Sequence, residues 1–145
     1  MEQRISLVTL GVADLERAVA FYEGVVGWSV TPGPPGVAFF DLGGMIFGLY
    51  PHGELAEDMK LPAGTRQKGA YEGFSLAHNA RSKDEVDAIF ARLKEKGAEI
   101  LKEPEEAFWG GYSGYFADLD GHAWEIAFNP FWTIGEDGRI VMGQA

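Results

Sequence analysis

Three histidines, His52, His78 and His122, are the side chains in this 145-residue chain best suited to hold a metal or pass a proton near neutral pH. Their positions work against a shared site. His52 falls in a loop, His78 at a strand end and His122 in a turn, with no metal-ligand spacing among them. A surface or hydrogen-bonding role is therefore expected of each. The absence of cysteine removes disulfides, thiolate metal sites and a cysteine nucleophile. Phe108-Trp109-Gly110-Gly111-Tyr112 places glycines between aromatic rings ahead of a strand. Such a loop suits a flap that stacks on a planar ligand, and suits packing between two copies of the chain equally well. Twelve basic residues against 22 acidic ones leave a net charge of −10. That charge argues against a nucleic-acid partner, which needs a positive surface. It fits a cationic ligand drawn in by a negative field, or simply a solubilising surface. No run approaches the roughly 20 apolar residues that span a bilayer. A soluble cytoplasmic protein is expected, with neither nucleic acid nor membrane as partner.

The elements that must position these side chains are written twice. Ile5 to Val12 alternates and is rich in β-branched residues, the pattern of a strand. Asp14 then caps a helix whose apolar stripe is Leu15, Ala18, Val19, Tyr22 and Val25, with Gly24 and Gly27 closing it. Strands are expected near Trp28 to Thr31, at Val37 to Leu42 and at Met45 to Tyr50. The plan recurs about 68 residues later, starting with a strand over Gly73 to Asn79. Ser82 and Glu85 form a capping box for a helix buried through Val86, Ile89, Phe90 and Leu93. Ala98 to Lys102, Gly114 to Asp118 and Ala123 to Phe128 supply three more strands.

The expected class is α+β: two tandem βαβββ modules, residues 4–50 and 71–130, whose sheets form a half-open barrel-like cleft within a single domain spanning 1–145. Residues 51–70, rich in Gly, Pro and charge, read as a connecting surface loop, and 131–145 as a tail hairpin turning at Asp137-Gly138.

At this level the chain resembles the vicinal oxygen chelate superfamily, which includes glyoxalase I, extradiol dioxygenases, fosfomycin-resistance enzymes and bleomycin-resistance proteins. The resemblance rests on Val12-Ala13-Asp14-Leu15 leading to Ala18 and Phe21-Tyr22, then Val26-Gly27-Trp28, then Asp118-Leu119-Asp120-Gly121-His122 leading to Glu125. It covers residues 4 to 130, and Phe108 to Tyr112 resembles the glyoxalase/bleomycin-resistance branch. Metal-dependent members place one His, Gln or Glu on each of four strands. Carried over residue by residue, those positions fall on Leu7, on Phe74, near Gly48 and on Glu125. Only Glu125 is a ligand type. The resemblance thus implies no metal in the usual site and no cofactor, with a divalent ion disfavoured.

What it leaves is a pocket. Alternation sets Ile5, Leu7 and Thr9 on one face, with Phe74, Leu76 and His78 as their counterparts. Ile46, Gly48 and Tyr50, and Ala123, Glu125 and Ala127, are expected to face the same cleft, small residues leaving room for a ligand. Leu7, Thr9, Gly48, Tyr50, Phe74, Leu76, Trp109, Tyr112 and Glu125 are the candidate binding residues. Glu125 is also the candidate catalytic residue, as surviving metal ligand or as a desolvated general base. Trp28 and Trp124 are expected in the core, and Trp132 at the mouth or in the tail. Binding of a small aromatic or cationic molecule stands against a lyase, isomerase or dioxygenase activity and against a scaffold role. The family habit of dimerising implies a homodimer.

Overall fold

Asp14 adopts an extended backbone and accepts the Arg17 N–H at 2.9 Å, which starts helix α1 (Leu15–Phe21). The helix does not stop at Gly24. It widens into a π-helical turn over Tyr22–Val26 and ends at Gly27, which takes the left-handed conformation at φ 88°. Residues 1–62, 64 and 66–142 are described by the computed structural model. They form two compact units, Met1–Ala70 and Tyr71–Ala145.

In the first unit, β1 (Leu7–Val12), β2 (Ala38–Asp41) and β3 (Ile46–Pro51) form a sheet of order β1-β3-β2. β1 runs parallel to β3, and β2 antiparallel to it. One face carries Leu10, Val12, Phe40, Phe47 and Leu49, each 3% exposed or less. Tyr22 packs on that face, its ring 4.9 Å from Phe47, and Trp28 lies 5.5 Å from Phe47. The strand expected at Trp28 to Thr31 is reduced to a single bridge, Thr31 to Phe39. Pro32, Pro34 and Pro35 follow at once and cannot donate to a ladder.

In the second unit, β4 (Leu76–Asn79), β5 (Glu99–Glu106), β6 (Tyr112–Ala117) and β7 (Ala123–Phe128) form a sheet of order β4-β7-β6-β5. Again the first strand pairs parallel with the last. Helix α3 (Lys83–Glu95) is capped by Ser82, which accepts the Glu85 N–H at 3.1 Å. The Glu85 carboxylate reaches back to the Arg81 N–H instead of to Ser82. Val86, Phe90 and Leu93 are the buried stripe of α3. Gly114 is required under that helix: a Cβ there would lie 2.6 Å from the Phe90 ring and 2.7 Å from the Lys102 carbonyl oxygen.

The class is α+β, with the repeat visible as β1-α1-β2-β3 and β4-α3-β5-β6-β7. The expected connecting loop is in part helical. α2 (His52–Asp58) follows β3 without a break, driven by the helix formers Glu54-Leu55-Ala56-Glu57. β8 (Trp132–Ile134) and β9 (Ile140–Met142) pair as the tail hairpin. Ala63 and Thr65 of the connector and Gly143 to Ala145 of the tail fall outside the described residues.

Candidate functional site

Glu125 sits mid-strand in β7, directly in register with Ala77 on one side and Tyr115 on the other. Tyr115 is in turn in register with Lys102. Side chains of registered residues leave a sheet on the same face, so this row crosses the whole second sheet. Glu125 and Tyr115 are both half-buried. The Tyr115 hydroxyl donates to the Glu125 carboxylate and accepts from Ser75. Burial pushes the Tyr115 phenol above its ordinary value, and the charge and hydrogen bond of Glu125 push the same way. Lys102 and Ser75 pull it down more weakly. Sequence alternation did not single out Tyr115 and Ser75. The signal that could find Tyr115 is the antiparallel pairing of its strand with the one bearing Glu125.

The opposite face of this sheet belongs to the core. Leu76 is in register with Trp124, Trp124 with Phe116, and His78 with Ile126. Trp124 and Phe116 stack with their planes 11° apart. Leu76 and His78 are thus on the other face from Glu125, which corrects the alternation expected from Phe74. The cause is a one-residue offset: Ala77, not Leu76 or His78, pairs with Glu125, and such a slip exchanges the two faces. Phe74 precedes β4 and is 50% exposed.

Tyr112 is also turned away from Glu125. It shares the Gly114 face, and its hydroxyl donates to Asp87 of α3 at 2.8 Å. That bond holds its phenol above the usual value. Trp109 is folded onto its own turn. A Cβ on Gly111 would fall 1.8 Å from the Trp109 ring, so the indole lies flat against that glycine. The turn is closed by the Ala107 N–H donating to Gly111 O at 2.8 Å, and it leaves Phe108 fully exposed.

On the first sheet, Leu7 is in register with Ile46, Thr9 with Gly48, and Gly11 with Tyr50. These residues share the face opposite the Tyr22 cluster. Gly48 leaves less room than expected. A Cβ there would meet Thr9 Oγ1 at 3.2 Å and the Leu7 and Phe39 side chains at 3.4 Å, so neighbours already roof the position. His52 shares this face. A Cβ on Gly11 would lie 2.4 Å from its Nδ1, so the imidazole packs over that glycine. His122 is buried, with Nδ1 3.6 Å from a Glu72 carboxylate oxygen. Asp118 accepts the backbone N–H groups of Asp120 and His122, both at 2.9 Å, and so shapes the turn before β7.

Glu125 therefore has the Tyr115 hydroxyl as a hydrogen-bonding neighbour, Ser75 bonds the same phenol, and the Lys102 ammonium stands at the row's end. Leu7, Gly48 and Phe74 contribute no donor side chain. Among the described residues, no three His, Cys, Asp or Glu side chains cluster to hold a metal ion. This donor set does not fit a resident divalent ion.

The profile of the family described as "Glyoxalase/Bleomycin resistance protein/Dioxygenase superfamily" matches residues 4–126. Metallothiol transferase FosB of Lysinibacillus sphaericus is 30% identical over 126 residues, spanning 86% of this chain and 81% of that protein. The same transferase of Shouchella clausii is 30% identical over 127 residues, spanning 87% and 80%. Among solved structures, a glyoxalase-related enzyme from Fulvimarina pelagi superposes with a TM-score of 0.87 at 36% identity, covering 99% of this chain and 100% of that one. A lactoylglutathione lyase from Agrobacterium tumefaciens gives 0.67 at 25% identity, covering 88% and 95%.

Proposed function

The chain belongs to the glyoxalase/bleomycin-resistance/dioxygenase superfamily, and on that premise we propose that it binds a small aromatic or cationic molecule through Glu125 without a resident metal. One observation carries the reading. Of the four positions where metal-dependent relatives place ligands, only Glu125 has a donor side chain, and that donor is engaged by Tyr115. A carboxylate aligned by a phenol is a good acceptor for an ammonium, amidinium or hydroxyl group. The net charge of −10 favours the approach of a cation. The protein acts in the cytoplasm as a homodimer in this reading.

A flat cationic dye tests the proposal directly. Thioflavin T is expected to bind saturably to the wild type, and Glu125→Gln to weaken it by about tenfold, the loss of one charge-assisted contact. The anionic dye anilinonaphthalene sulfonate serves as control and should be indifferent to that substitution. Equal binding of thioflavin T by both proteins would remove Glu125 from the reading.

The 30% identity to metallothiol transferases favours a second reading, an enzyme in which Glu125 acts on a bound substrate as ligand or base. It requires turnover that Glu125→Gln abolishes. Binding with no chemical change in the bound compound separates the two.

A further inference from the structure

A cavity of about 300 Å³ lies in the second unit, at the β4 end of the sheet, lined by β4, the start of α3 and the tail hairpin, without Glu125 in its wall. We propose that it is a binding site for a neutral amide- or hydroxyl-bearing small molecule with a compact apolar body, its hairpin wall held in place by Arg81.

The walls divide the ligand into two parts. Ile134 and Ile140 of the hairpin, with Ala77, supply the apolar side. His78, Asn79 and Glu85 supply the polar side. Backbone groups add to it, because β4 is an edge strand. The Ala80 N–H donates to Ala127 O at 2.7 Å, so alternation aims the amide groups of His78 at β7 as well. Those of Ala77 and Asn79 face the edge that no strand covers among the described residues, where they can pair with an amide or hydroxyl as a further strand would.

Charge sets the ligand class. The Arg81 guanidinium is committed to the hairpin: Nη1 donates to Ile134 O and Nη2 to Gly135 O, both at 2.7 Å. The Glu85 carboxylate accepts the Arg81 backbone N–H. One positive and one negative group therefore balance in the wall, each already hydrogen-bonded, so the wall offers an ionic ligand no uncommitted countercharge in exchange for its hydration. The same fork ties down the hairpin. A two-stranded ribbon of three-residue strands is marginal alone, and Arg81 fixes it over the cavity.

Three probes with one body and different heads test the assignment: cyclohexanecarboxamide, cyclohexanecarboxylate and cyclohexylammonium. Amide chemical shifts of the isotope-labelled full chain report where each binds. The carboxamide is expected to give saturable shifts at residues 77–81 and 134–140, with both ions weaker by about tenfold or more. Ile140→Ala should weaken the carboxamide and leave the β6 and β7 resonances in place, which shows the sheet still folds. Arg81→Lys keeps the charge but loses the fork, and should abolish the shifts while freeing the hairpin. The proposal is overturned if no probe saturates, if either ion binds as well as the amide, or if Ile140→Ala binds like the wild type. Since Glu125 does not line this cavity, failure here leaves the thioflavin T result untouched.

Discussion

Replacing Tyr115 by Phe removes one hydroxyl and, with it, the hydrogen bond that orients Glu125. A hydrogen bond to a charged acceptor contributes about 1.5–3 kcal/mol when water is excluded. Both partners are only half-buried, so screening reduces the figure to about 1 kcal/mol. Ser75 is exposed, and water replaces the acceptor it loses at little cost. Tyr115→Phe should therefore lower the unfolding free energy by about 1 kcal/mol, or Tm by roughly 3 °C for a chain of this length. A double-mutant cycle with Glu125→Ala isolates the pair and should return a coupling of about 1 kcal/mol. Urea unfolding supplies the numbers, provided fluorescence and circular dichroism transitions coincide and the slope is unchanged. The parallel cycle of Tyr112→Phe with an Asp87 variant serves as comparison. That bond is solvent-exposed and should couple by no more than about 0.5 kcal/mol. A Tyr115–Glu125 coupling below about 0.3 kcal/mol would refute the claim that the phenol holds the carboxylate.

Glycine substitutions separate rigid from yielding contacts. Gly114→Ala drives a Cβ against the Lys102 carbonyl and the Pro104 nitrogen as well as Phe90, and should cost about 1–3 kcal/mol in urea unfolding. In Gly11→Ala the three atoms nearest the new Cβ all belong to the His52 side chain and none to backbone. That substitution should cost less, and the His52 imidazole resonances should shift to those of a solvated ring. Gly111→Ala expels the Trp109 ring from its seat, and indole emission should move to longer wavelength. Alkaline pH gives a signed test. Tyr115 in the folded chain titrates above its unfolded value near 10, so its contribution to stability is complete below that pH. It is lost as pH rises through the folded value. In Tyr115→Phe the decline above pH of about 10 should be shallower.

Much of the scaffold could be read in the sequence because its signals are local. Asp14 and Ser82 mark helix starts by side-chain capping, and Asp137-Gly138 marks a hairpin turn. The first-sheet face could be read too, since β1 alternates without interruption from Leu7 to Val12. The second-sheet face could not. Phe74 lies ahead of β4, where no ladder pairing fixes its side, and counting from it lands on the wrong side of the sheet. Pairing with β7 sets that face, and pairing is not a local property. The same limit applies to Tyr112. Its candidacy rested on neighbouring glycines and aromatics, whereas its hydroxyl goes to a helix 25 residues upstream. The first turns of α2 were hidden by the Gly and Pro content of the segment around them. Roofing of Gly48 by Leu7, Thr9 and Phe39 depends on a third strand and was equally out of reach.

In the proposed function, Glu125 serves an organic ligand and not a divalent ion. Native mass spectrometry tests it on protein purified without chelators, before and after addition of nickel, manganese, zinc and iron. The expected species is a dimer at the bare mass of two chains, or with an organic adduct that Glu125→Gln fails to retain. One stoichiometric metal ion per chain, lost in Glu125→Gln, would contradict that function and make Glu125 a metal ligand.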